Sequence, residues 1–111
     1  SGEITEDIAA AIRTGNAKEV SKYFSENVDL QILDNEDVNS KSQADLILKA
    51  FYAKHTPKSF TIAHNGISKN GAKYAIGNLD TANGKYRVTF FLKKEGEKLL
   101  IQQLRIEPQT D

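Results

Sequence analysis

Residues 74–92 read Tyr-Ala-Ile-Gly-Asn-Leu-Asp-Thr-Ala-Asn-Gly-Lys-Tyr-Arg-Val-Thr-Phe-Phe-Leu, and this stretch decides the fold. Tyr74 to Leu79 has strand character, Asn83-Gly84 is a tight-turn dipeptide, and Tyr86, Val88, Phe90 and Leu92 then alternate with period two. A strand places successive side chains on opposite faces, and Asn-Gly tolerates the positive backbone dihedrals of a two-residue hairpin. The stretch is therefore a β-hairpin.

The same grammar extends outward. Downstream, Glu95-Gly96-Glu97 turns the chain and Leu99 to Ile106 is a further strand. Upstream, Asn70-Gly71 is another hairpin turn, Gly66 marks a bulge, and Phe60, Ile62 and His64 share one strand face. Everything after Pro57 thus reads as antiparallel sheet. The front of the chain differs. Ile4, Ile8 and Ile12 form a helical stripe closed by Gly15, and Asn16 with Glu19 has capping-box spacing before Val20, Tyr23 and Phe24. Val28, Leu30 and Ile32 alternate as a strand, Asp34-Asn35-Glu36-Asp37 is turn chemistry, and Val38 begins a short return strand. Ser40 with Gln43 opens a third helix whose inner face is Ala44, Ile47, Leu48 and Phe51, with Lys54 and Lys58 complementing its negative end. Helices segregated from runs of strands give an α+β class: three helices on the concave face of a curved antiparallel sheet, forming a cone.

The chain has 111 residues, enough for a single core without staples, and no linker, repeat or low-complexity segment divides it. The domain is read as 3–107, with 108–111 a tail and Ser1-Gly2 a remnant of tag removal. Fifteen basic residues balance fifteen acidic ones, which disfavours nucleic acid as a partner. Cysteine is absent, which excludes thiol nucleophiles and zinc ribbons, and methionine is absent even at position 1, so an upstream signal peptide is expected. No apolar run approaches the roughly 20 residues of a membrane span.

The order of elements, with Ile4-Thr5-Glu6-Asp7-Ile8, Gly15-Asn16-Ala17-Lys18-Glu19, Tyr23 to Leu30, Gly84 to Val88 and Leu100 to Ile106, resembles the nuclear transport factor 2-like (cystatin-like) fold. More narrowly it is similar to a family of small exported Bacteroidetes proteins of unknown function. The resemblance covers nearly the whole chain, on packing and turn residues, and carries no assigned activity. It implies an exported, periplasmic or cell-envelope protein. It also implies a cavity at the mouth of the cone for a small apolar ligand, with isomerase or dehydratase chemistry in some members of the fold.

Such chemistry needs a base held in low dielectric. The candidate is His64, with Asp80 or Tyr74 assisting, and the pocket-lining set is Phe51, Phe60, Ile62, His64, Ile76 and Asn78. A histidine at a strand end is more often structural, so the catalytic assignment is none. His55, four residues after Phe51, either extends the apolar helix face or meets the helix C-terminus. The two histidines lack metal-pair spacing, and residues 34–37 lack the glycine of a calcium loop, so no metal or other cofactor is expected. No nucleophile elbow or phosphate-binding glycine loop is present.

Arg87, Thr89, Phe91, Ile101, Gln103 and Arg105 are read as the outer sheet face, a surface for homodimerisation. The leading expectation is a non-catalytic binding or interaction domain of the cell envelope with a small apolar pocket. The alternatives are a small enzyme using a His/Asp pocket, and an accessory domain whose partner is another envelope protein.

Overall fold

Hydrophobic stripes at helical spacing precede a long alternating region, and the computed structural model, which describes residues 4–110, builds them into three helices and six strands. In chain order these are α1 (Ile4–Thr14), α2 (Ala17–Ser21), β1 (Phe24–Ile32), β2 (Asn35–Ser40), α3 (Lys41–Lys54), β3 (Pro57–Ile67), β4 (Lys73–Thr81), β5 (Gly84–Glu95) and β6 (Lys98–Pro108). The tag-remnant reading of Ser1-Gly2 lies outside the described residues.

Caps are partly as the spacing predicts. Ser40 Oγ accepts from the Gln43 amide at 3.2 Å and starts α3. Asn16 caps α2, but its side chain accepts from Lys18 rather than Glu19, whose carboxylate instead pairs with Lys22 at 3.1 Å. That helix is a single short turn, so Phe24 passes into β1. The turn assigned to residues 34–37 is also shorter than expected. Leu33 (φ 58°) and Asp34 alone make it, and Asn35, Glu36 and Asp37 pair with β1. An acidic run held in extended alternation cannot wrap its oxygens around one ion.

The sheet order is β2-β1-β6-β5-β4-β3. Four pairings are antiparallel, but β1 and β6 run parallel, so the antiparallel expectation is corrected to a mixed sheet. Alternation marks a strand and its buried face without naming its neighbour, which is why the parallel pair was not legible.

One face of the sheet carries Leu30, Leu104, Phe90, Leu79 and Phe60, and these join Ile8, Ile12, Ala44, Leu48 and Phe51 of the helices in one core. Tyr52 stitches α3 to α1, its phenol donating to the Ile12 carbonyl oxygen at 2.9 Å. Burial raises the pKa of this phenol well above its ordinary value. The sign follows from linkage. The folded chain holds a proton that the unfolded chain releases, so stability is full below about pH 10 and falls as pH rises beyond it. Tyr52→Phe is expected to cost about 1 kcal/mol near neutrality and to blunt the alkaline loss. Urea denaturation at neutral and alkaline pH checks this, and an unchanged alkaline slope in the variant rules the assignment out.

Candidate functional site

The interior expected to be hollow is filled by side chains. Phe60 is 2% exposed, and its ring lies over Gly77 so closely that a Cβ there would stand 2.5 Å from Cζ. Phe51 is buried too, stacked on His55 with ring centroids 4.5 Å apart. His55 follows the end of α3, and its Nδ1 lies 3.1 Å from the Tyr86 hydroxyl, which itself donates to the Asn83 carbonyl oxygen at 3.1 Å. That cluster ties the helix end to the β4–β5 turn.

The six residues expected to line one pocket are divided between two faces. The β3–β4 register shifts between Ile62 and His64, leaving Ala63 as the extra residue. The bulge therefore sits at Ala63 and not at Gly66, which pairs with Tyr74. A single inserted residue inverts a two-residue period. His64 accordingly lies on the face opposite Phe60 and Ile62, paired with Ile76, and Asn78 faces the same outer side. There His64 Nε2 sits 2.9 Å from the Tyr74 hydroxyl and is exposed. Gly66 admits the Tyr74 ring, since a Cβ at that position would stand 3.2 Å from its oxygen. Asp80 is opposite Ser59, four residues along β4 from Ile76, so it stands about 13 Å from the histidine's row. The His64/Asp80 dyad is not assembled, and the face holding His64 is solvated, whereas a base for proton abstraction needs shelter from water.

A second bulge corrects the interface set. The β5–β6 register shifts between Phe91 and Leu92, leaving Gln102 extra, and Ile101 turns inward to 0% exposure against Phe24 and Leu92. Arg87, Thr89, Phe91, Gln103 and Arg105 remain on the helix-free face. In register, that face presents Asp29, Gln103, Phe91 and Tyr74 in one row, and Gln31, Arg105, Thr89, Ile76 and His64 in the next. Tyr74 and Phe91 lie with centroids 5.9 Å apart. Charges alternate around this aromatic centre: Arg87 opposes Glu107, and Lys85 opposes Asp80.

Two hollows indent the margin of this face. One, of 410 Å³, lies between the loop 68–72 and β1, β5 and β6, and its lining includes Asp29, Ser68, Asn70, Phe91, Lys93, Gln102 and Gln103. The next, of 540 Å³, shares Asp29 and Gln102 and adds Ser25, Asn27 and Glu95. Ser25 Oγ and Gln102 Nε2 both donate to Glu95, and these bonds, Ser25 first, hold its carboxyl below the usual range. Its ionised form is favoured above the ordinary carboxylate pKa, and that preference is lost as pH falls through the lowered value. Among the described residues no group of three or more His, Asp or Glu side chains is placed to hold a metal, and no helix is long and apolar enough to cross a membrane.

Comparison with known proteins places this geometry. The family model Domain of unknown function (DUF4783) matches residues 5–107. The chain belongs to the DUF4783 family. A DUF4783 protein from Bacteroides uniformis ATCC 8492 is 33% identical, with 98% of this chain and 100% of that one covered and a TM-score of 0.90. A second, from Bacteroides ovatus ATCC 8483, is 30% identical over 95% of this chain and 94% of that one, with a TM-score of 0.87. A domain of unknown function with a cystatin-like fold from Nostoc punctiforme, at 9% identity and a TM-score of 0.74 over 96% of this chain and 74% of that one, agrees in fold alone. No curated protein matches the chain. DUF4783 is a family of unknown function, so membership assigns no activity, and the cystatin-like resemblance read from the residues agrees with these neighbours.

Proposed function

We propose that this DUF4783 domain is a non-catalytic interaction module that pairs with a second copy of itself through the outer face of its sheet, the helices closing the hollow side. The observation that carries the reading is the half-buried centre of Tyr74, Ile76 and Phe91 on a face that no helix covers. A two-fold interface brings one patch against itself, so it must be self-complementary. Here Asp29, Asp80 and Glu107 stand among Lys85, Arg87 and Arg105, so the face offers charges of both signs to a second copy. The molecule measures 37 × 28 × 25 Å, and a broad face of that size can supply the roughly 800 Å² per partner of a standard interface. Action in the cell envelope belongs to the same proposal and rests on the family resemblance alone.

Light scattering on a sizing column tests it. The wild type is expected at twice the chain mass, and Ile76→Glu, which puts a charge at the patch centre while leaving the core untouched, is expected to weaken pairing about tenfold or more. A monomeric wild type at high micromolar concentration, or an Ile76→Glu variant that pairs as well as wild type, would overturn the reading.

A further inference from the structure

The margin of the same face carries a groove that shares Phe91 and Asp29 with the pairing surface, so a ligand there and a second copy compete for the same side chains. The 410 Å³ hollow falls within the roughly 300–1,000 Å³ of small-ligand sites, and Asp29 and Gln102 also line the 540 Å³ hollow beside it. Its aromatic wall is the half-exposed ring of Phe91. Around that ring stand one carboxylate, three side-chain amides and one hydroxyl: Asp29, Asn70, Gln102, Gln103 and Ser68.

These groups are held in place from behind. Glu95 takes the Gln102 amide nitrogen at 2.9 Å, which leaves the Gln102 carbonyl oxygen as an acceptor. The loop is braced by its own backbone, Ser68 donating to the Ala72 carbonyl oxygen at 2.8 Å and Gly71 to that of Ser68 at 3.0 Å. The Gln103 side-chain amide lies between Asp29 and Arg105, its oxygen placed to accept from Arg105 Nε at 3.2 Å. Among the described residues, Asp29 Oδ1 and the Asn70 amide nitrogen have no hydrogen-bond partner.

The chemistry of the lining selects the ligand. Amides and carboxylates side by side offer both donors and acceptors, which suits vicinal hydroxyls because each hydroxyl also donates and accepts. A phenyl ring beside them provides an apolar surface for a C–H-bearing ring face. Net charge on the ligand is disfavoured, because Asp29 opposes an anion and Lys93 opposes a cation. We infer that this groove binds a neutral, hydroxyl-rich ligand of the carbohydrate class, one or two sugar rings in length. Asp29 and Asn70 grip hydroxyls, and Phe91 stacks beneath the ring.

Titration of the nitrogen-15-labelled protein with cellobiose, maltose and diacetylchitobiose, followed by amide chemical shifts, tests this. At least one disaccharide at tens of millimolar is expected to shift Ser68, Asn70, Phe91, Gln102 and Gln103 in a saturable way. Asn70→Ala, a surface change that spares the core, should weaken binding about tenfold, and Asp29→Ala should do likewise. The titration is run on wild type and on Ile76→Glu. Binding retained in the monomeric variant supports the groove whatever becomes of self-pairing. Absence of shifts with all three sugars in both proteins, shifts mapping elsewhere, or equal shifts from citrate or spermidine would each overturn the inference and leave the oligomer measurement standing.

Discussion

Phe90→Ala is expected to cost about 3–5 kcal/mol of folding stability, the range for removing a buried aromatic ring. Phe90 is wholly buried in the middle of β5, with buried Ala75 and Leu104 as its register partners. Two effects add. The ring's transfer free energy is lost, and a cavity remains because hydrogen-bonded ladders on both sides hold the strand in place. Ala75 carries only a methyl group, which has no rotamer that reaches into the space. Against a total stability of roughly 5–15 kcal/mol, the loss leaves a marginal fold. The informative control is its neighbour. Phe91→Ala, half-exposed on the opposite face, should cost far less, on the order of 1 kcal/mol. Urea denaturation of both variants is the measurement, and equal losses would sink the assignment of faces.

Gly77→Val is expected to destabilise by about 3 kcal/mol, at the upper end of overpacking effects. Valine has the higher strand propensity, which alone predicts a gain of a few tenths of a kcal/mol. Sterics reverse the sign. A Cβ at position 77 would stand 2.5 Å from Phe60 Cζ and 2.8 Å from the Thr61 carbonyl oxygen, and the second neighbour is backbone in the adjacent strand. Shortening the ring by Phe60→Leu in a Gly77→Ala background should restore part of the loss, since it removes the side-chain clash and leaves the carbonyl. Thermal and urea unfolding of the single and double variants would show it, and a neutral Gly77→Val would contradict the close packing of ring on strand.

The candidate site was less legible than the fold, and the residues show why. Phe60, Ile62 and His64 look alike to a period-two reading, and Phe91 and Ile101 look alike as outer-face residues. Each pair of assignments failed at one inserted residue, Ala63 in the first case and Gln102 in the second. A bulge leaves little trace in composition, because the extra residue can be of almost any type and Gly66, the residue that seemed to mark one, pairs regularly. Asp29 and Gln102 were visible as polar positions in alternating strands, but nothing local brings them beside a loop about forty residues from the first and about thirty from the second.

Local chemistry determined the elements themselves: helix stripes at Ile4, Ile8 and Ile12, the Ser40 cap, the Asn-Gly turns, and strands whose buried face the alternation names. Those features depend on dihedral preferences and on side-chain period, both of which act within a few residues. Tertiary structure alone decided that β1 lies parallel to β6, that two bulges invert the faces of His64 and Ile101, and that a loop and three strands enclose a groove. These depend on which surfaces find each other after collapse, where burial of the shared core outweighs any local preference.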